Sequence, residues 1–255
     1  MKITGKLLYL NLLYLFLYLP LFVVIIFSFN SASHSLLWHG FSWRWYGQLL
    51  DDFDLAVVAS HSVLVGVLAA SLATGIGTLA SVSLASYQFK AKKILTKALF
   101  MLIIIPDLVL GISLLLLFRL LEIPAGFWTL LIAHTTFCLP FASITVTSRM
   151  NLLNKNLIEA ARDLGAHDFR IFRRIIVPLL WPAIVASWLL CFTLSLDDVV
   201  ISYFVSGPNY EILPLTIFSM VKLGVNPEVN ALCSIMLVLS LVIVVLAQRA
   251  LSKKQ

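Results

Sequence analysis

Long apolar stretches alternate with short polar ones along this chain, and six of the apolar stretches have the length of membrane-crossing helices. The first, 7–29, is 23 consecutive uncharged, mostly apolar positions. A signal peptide's hydrophobic region covers only about 7–15 residues, so this run is expected to be retained as a span, although Ser31-Ala32-Ser33 faintly resembles a cleavage site. The second, 55–87, carries Gly66, Gly75 and Gly77 among many Ala and Ser, the small residues that let helices approach closely in a bilayer. The third, 98–118, contains Pro106-Asp107. The fourth, 125–148, has no formal charge but is made polar by His134, Thr135, Thr136 and Pro140. The fifth, 178–205, continues through Leu196 into Asp197-Asp198, and the sixth covers 229–248. Between the first two spans, 30–54 carries Trp38, Trp43, Trp45 and Tyr46, as expected of a loop skirting a membrane interface. A second loop, 206–228, is rich in Pro and Gly. The pattern predicts an all-α integral membrane protein with a single transmembrane domain, 1–255.

The longest polar interruption, 149–177, is itself patterned. Asn156 with Glu159 three residues on has the form of a capping box, and Leu153, Leu157, Ala160 or Ala161, and Leu164 share a helical face. Gly165 is placed to end that helix in the left-handed conformation. Asp168 is placed to cap a second short helix, with Phe169, Phe172 and Ile176 on one side and Arg170, Arg173 and Arg174 on the other. Pro178 stands where the next apolar run begins, where a missing N–H does little harm. Two short helices at an angle form a protruding knob.

Charge sets the orientation. Of the 18 Lys and Arg, fifteen fall at the two ends, in the loop containing Lys90, Lys92, Lys93 and Lys97, and in 149–177. The positive-inside rule puts both termini and the knob in the cytoplasm. With 61% hydrophobic and 12% charged residues the chain is no ordinary soluble domain. The net charge of +6 lies in short clusters between spans, which argues against nucleic acid as a partner. Cys138, Cys191 and Cys233 lie within apolar runs at no metal-ligand spacing and read as free thiols. No GxxxxGK[ST] occurs, so ATP hydrolysis would have to come from another polypeptide.

Glu159-Ala160-Ala161, Gly165, Ile175 and Pro178 resemble the EAA loop of the permease subunits of binding-protein-dependent ABC importers, departing from it only at Val177, where that family usually has Leu. The segments 29–50, 103–118, 131–141, 192–208 and 211–235 are similar to a permease subunit of bacterial spermidine/putrescine importers. That resemblance implies the type I ABC importer permease fold in the bacterial inner membrane, and transport of polyamines from periplasm to cytoplasm by alternating access. It implies as partners a second homologous permease subunit, two ATPase subunits that bind ATP and Mg, and a periplasmic binding protein. No cofactor is expected in this chain. It also implies that 149–177 is the coupling helix region docked on an ATPase. Glu159 then caps its own helix, binds a basic residue of the ATPase, or does both in different states.

A passage for a flexible polycation calls for carboxylates and aromatic faces. Asp107 lies ten residues beyond Lys97, which is roughly 15 Å along a helix and about mid-bilayer. It either lines the path or satisfies backbone groups freed by Pro106. Asp197 and Asp198 lie toward the outer end of the fifth span and point about 100° apart on a helix, so one is expected to face the path while the other caps a break or pairs with a cation. Tyr203 and Phe204 are aromatic partners for cargo or interface anchors. His134 gates the path or is a packed, hydrogen-bonded histidine. The rivals are the same architecture with another cargo, such as an amino acid, and an ion-gradient-driven secondary transporter. The latter has no use for an ATPase-docking knob.

Overall fold

The computed structural model describes residues 2–32, 37–224 and 227–252. Their helices are α1 (Lys2–Phe27), α2 (Arg44–Asp51), α3 (Phe53–Ser86), α4 (Lys92–Ile104), α5 (Asp107–Leu120), α6 (Phe127–Met150), α7 (Lys155–Asp163), α8 (Asp168–Ile171), α9 (Val177–Asp197), α10 (Val200–Val205), α11 (Leu213–Leu223) and α12 (Pro227–Ser252). Among the described residues β pairing is confined to two isolated bridges, Asn30 with Phe41 and Gly207 with Tyr210. Ser33, Lys253 and Lys254, which entered the sequence reading above, lie outside the described residues.

Among the described residues four helices are long and apolar enough to cross a bilayer: Lys6–Phe27, Phe53–Ser86, Phe127–Met150 and Asp168–Asp197. A fifth is obtained if α4 and α5 are taken as one span, but the two are bent by 112°. The expected straight helix over 98–118 is therefore broken at its centre. Ile105 and Pro106 are extended, with ψ of 128° and 139°. Pro106 has no N–H to continue the ladder and drives the residue before it out of the α region. The 206–228 loop also holds a helix the pattern did not predict, α11. The 30–54 loop holds another, α2. The expected sixth span falls within α12.

The chain divides into two compact units, Met1–Val57 with Thr216–Ile243, and Val58–Leu215 with Val244–Gln255. In the first unit, the apolar side chains of α1 from Leu7 to Phe22 are exposed, as for a helix whose solvent is lipid. After α1 the chain folds around buried Asn30, whose side chain donates to the Leu37 carbonyl at 2.8 Å and accepts from the His39 N–H at 2.9 Å. The Trp45 indole N–H donates to the Asn30 carbonyl at 2.7 Å, which seats α2. Phe29 packs against Phe41, Trp43 and Tyr46 with ring centroids 4.8–5.1 Å apart.

In the second unit α6 packs along α9, and α5 along α10. Small residues let α3 approach α6 closely. A Cβ on Gly77 would lie 2.8 Å from the Ala142 Cβ and 3.0 Å from the Ser143 nitrogen. Ser81 Oγ bridges the same contact, 2.7 Å from the Gly77 carbonyl and 2.8 Å from that of Ser143. Buried Cys138 and Cys191 each point a thiol at the other's carbonyl, at 3.4 and 3.5 Å, and remain reduced. Val65, Leu110, Leu114, Phe118, Leu130, Ile201 and Val205 fill one core cluster. Val82, Val146, Met150, Ala161, Ile171, Ile176 and Leu180 fill another.

Candidate functional site

Two places in the second unit gather the residues that carry chemistry. The first is the 149–177 segment. α7 is capped by Asn154, whose side chain accepts from the Asn156 N–H at 3.0 Å. The cap is thus two residues earlier than Asn156, and the expected capping box with Glu159 does not form: the Asn156 N–H goes to Asn154, and Glu159 is exposed. Gly165 ends the helix at φ +79°, in the left-handed region as its position predicts. The following helix is capped by His167, which accepts from the Phe169 N–H at 3.3 Å, and not by Asp168.

Asp168 is used elsewhere. Its carboxylate accepts from Arg162 Nε and Nη2, both at 3.3 Å, and from the Tyr87 hydroxyl at 3.2 Å. It therefore links α7, the start of α8 and the residue just past α3. Both members of the ion pair are about half exposed, so the pair is worth little as stability, about 0–1 kcal/mol, and more as geometry. Sequence reasoning passed over Tyr87 and Arg162. Their signal was weak, since Tyr87 lies 81 residues from Asp168.

The second helix of the knob is not a separate piece. From Asp168 it runs without interruption into the fifth span, giving a 30-residue helix to Asp197. The π-helical turn at Phe172–Ile176 lies just before Pro178. The proline, without an N–H to give, does not stop the helix there. Of the predicted apolar face, Ile176 is buried and Phe172 half-buried, while Phe169 is exposed. Ile171, which the pattern passed over, is buried. Ala161 is likewise buried in the core cluster, whereas Ala160 and Glu159 face outward and Ile175 is half-buried. Beneath α7 lies a cavity of about 400 Å³ lined by Ser86, Met150, Ile158, Glu159 and Arg162 among others.

The second place is the interruption at Asp197-Asp198. α9 ends at Asp197, and α10 begins two residues after Asp198. Asp198 is buried and caps α10, accepting from the Ile201 N–H at 3.2 Å and the Ser202 N–H at 2.8 Å. It also accepts from the Ser202 hydroxyl at 2.7 Å. Asp197 is exposed. The two neighbouring carboxylates thus part company, one closing a helix break and one facing outward. His134, on α6, is buried, with Nε2 2.9 Å from Ser202 Oγ and Nδ1 2.6 Å from Ser195 Oγ. Ser195, Asp198 and Ser202 had a readable signal, since positions three and seven apart share one helical face.

Asp107 is the first residue of α5 and is exposed. α5 lies on α10 where Gly111 leaves room. A Cβ there would be 3.0 Å from a Phe204 ring carbon and 3.2 Å from the Ile201 Cα. Both helices thus have a carboxylate at their start, Asp107 for α5 and Asp198 for α10. Phe204 is spent on this packing, while Tyr203 is exposed with its ring 5.5 Å from that of Phe204. Among the described residues no group of His, Cys, Asp and Glu is placed to hold a metal ion.

Residues 63–255 match the family model described as binding-protein-dependent transport system inner membrane component. The chain is 50% identical over 247 residues to the spermidine/putrescine transport system permease protein PotC of Escherichia coli, covering 96% of this chain and 94% of that one. It is 51% identical over 235 residues to the protein of the same name from Haemophilus influenzae, covering 92% and 91%. The putrescine transport system permease protein PotI of Escherichia coli is 42% identical over 229 residues, or 87% of this chain and 82% of that one. Among solved structures, a bacterial ABC transporter involved in alginate import superposes with a TM-score of 0.78 over 99% of this chain and 95% of that one. At 14% identity that likeness is one of fold. The break-and-knob architecture is therefore that of an ABC importer permease, and the chain belongs to the binding-protein-dependent transport system inner membrane components, multi-pass inner-membrane proteins of transport and not enzymes.

Proposed function

We propose that this chain is the permease subunit through which an ATP-driven importer moves polyamines, spermidine or putrescine, from periplasm to cytoplasm. The observation that carries the cargo is the 50% identity, over nearly the whole chain, to a permease named for spermidine and putrescine. The site chemistry supports it. Asp107, the first residue of α5, and Asp197, the last of α9, are exposed carboxylates, and Tyr203 offers an exposed aromatic face near Asp197 in sequence. Carboxylates and π faces suit a protonated polyamine and repel an anion. In this reading Asp198 and Phe204 hold the break and the α5–α10 contact, so that Asp107, Asp197 and Tyr203 meet cargo.

The 149–177 segment is the surface that engages a separate ATPase subunit. Glu159, Ala160 and exposed Phe169 face outward, while Ala161 and Ile175 root the segment in the core and Gly165 and Pro178 shape its backbone. A second homologous permease, two ATPase subunits and a periplasmic binding protein complete the transporter, with both termini of this chain and the knob in the cytoplasm. The test is uptake of radiolabelled spermidine and putrescine by cells in which this chain and its operon neighbours supply the only route. Saturable, ATP-dependent uptake of either supports the reading. Uptake of neither, with another small solute competing for the binding protein, would assign the same architecture to a different cargo.

A further inference from the structure

His134 is fully buried on α6, and each of its ring nitrogens meets one serine hydroxyl. The protons along this chain of contacts can be placed by elimination. Asp198 already accepts two backbone N–H groups, and its Oδ2 lies 2.7 Å from Ser202 Oγ, so the Ser202 proton points at the carboxylate. Ser202 Oγ then has only lone pairs to offer His134, so Nε2 carries the imidazole proton and donates to it at 2.9 Å. At the other nitrogen, the contact to Nδ1 at 2.6 Å is the only hydrogen bond of Ser195 Oγ among the described residues. A neutral imidazole protonated at Nε2 accepts the Ser195 proton there, and every polar atom in the row is satisfied. His134 Nε2 and Asp198 Oδ2 are 3.6 Å apart, too far for a direct bond, so Ser202 is the link between them.

The row connects three elements. Ser195 lies in the last turns of α9, His134 on α6, and Ser202 on α10, while Asp198 is the capping residue between α9 and α10. Its direction is fixed: Ser195 gives to His134, His134 to Ser202, and Ser202 to Asp198. We propose that His134, as its neutral Nε2–H form, is a positioning residue that sets the α9–α10 break and thereby decides which of two adjacent aspartates is turned outward. Because Asp198 is drawn into the row and into the cap, Asp197 is the carboxylate left facing the exterior of the chain. That Asp197 meets a polyamine rests on the function proposed above; that His134 orients it does not.

Two substitutions separate the nitrogens. Glutamine at 134 places an N–H₂ near the Nε2 position and keeps a donor for Ser202 at the expense of the Ser195 acceptor, whereas asparagine reaches only the Nδ1 position and leaves Ser202 without a donor. Two readouts are taken on the assembled transporter in membranes. One is the rate at which an impermeant thiol reagent labels Asp197→Cys, with the native cysteines as the background. The other is the apparent KM and maximal rate of spermidine uptake in the Asp197 parent. His134→Gln is expected to stay within about threefold of the parent on both. His134→Asn is expected to change the labelling rate and to raise KM about tenfold, with the maximal rate reduced less, as for loss of one buried hydrogen bond. Ser202→Ala cuts the same link from the other side and is expected to behave as His134→Asn; it serves where that variant does not assemble. Equal behaviour of Gln and Asn at 134 on both readouts, with both assembled, overturns the proposal and makes His134 a space-filling residue. Labelling rates that separate the variants in a transporter importing no polyamine uphold the positioning role and overturn the cargo.

Discussion

Replacing Gly165 by alanine isolates the mechanical part of the proposed coupling role, because the structure offers nothing for the new methyl group to hit. No heavy atom lies within 4 Å of a Cβ built there, so sterics with neighbours contribute nothing. The backbone remains, at φ +79°. Holding an L-residue in that region costs about 1–2 kcal/mol, and asparagine pays less because its short side chain bonds locally. At about 1.4 kcal/mol per factor of ten, the turn that sets α7 against α8 is disfavoured about 5- to 30-fold. α7 and α8 are both rooted in the same core, through Ala161 and Ile171, so the chain cannot relieve the strain by letting the segment swing without giving up those contacts. The assay is ATP hydrolysis by the reconstituted transporter with and without loaded binding protein. Stimulation is expected to fall in the order Gly165, Gly165→Asn, Gly165→Ala, the last by as much as about 30-fold, with the protein still present in the membrane. A Gly165→Ala transporter stimulated as well as its parent would refute the claim that the left-handed turn transmits closure of the ATPase to the spans.

Other outcomes follow from the same geometry. Gly77→Val puts a side chain where even a Cβ is 2.8 Å from Ala142, and is expected to destabilise the α3–α6 contact by about 1–3 kcal/mol, read as a lower thermal-aggregation midpoint of the purified complex. Gly47→Ala, with nothing within 4 Å of the added carbon, is its control and should not lower that midpoint. Asp107→Asn and Asp197→Asn should each reduce polyamine uptake while leaving assembly intact; parental rates in both would return these aspartates to structural roles. For orientation, Ser206→Cys should be labelled by an impermeant reagent in intact spheroplasts and His167→Cys should not, and the opposite pattern would invert the topology.

Much of this protein is set by one-dimensional pattern. Runs of apolar residues long enough to cross a bilayer dictate helices, since no other conformation pairs a lipid-facing backbone with itself. The spacing from Glu159 to Pro178 was enough to mark the knob, and Gly165 was legible because only a left-handed residue ends α7 and lets the chain turn. Where backbone energetics are nearly balanced, the pattern failed by small steps. Asn154 and Asn156 are both capable caps, and which one serves depends on where Leu153 and Ile158 pack. Pro106 and Pro178 look alike in sequence, yet one breaks its helix by 112° and the other sits in a continuous one, just after a π-helical turn.

What the sequence alone determined is therefore the membrane-spanning character, the family and the place of the 149–177 knob, all of them properties of neighbours along the chain. What only the tertiary structure decided is the use made of isolated polar residues. Asp197 and Asp198 are indistinguishable as letters, and their separation into an outward carboxylate and a buried cap depends on His134, more than 60 residues away on another helix. Asp168 likewise finds Tyr87 and Arg162 instead of the N–H groups of its own helix. A buried or half-buried polar group takes whichever partner the packing brings within hydrogen-bonding distance, and that is fixed by how helices lie against one another, not by spacing along any one of them.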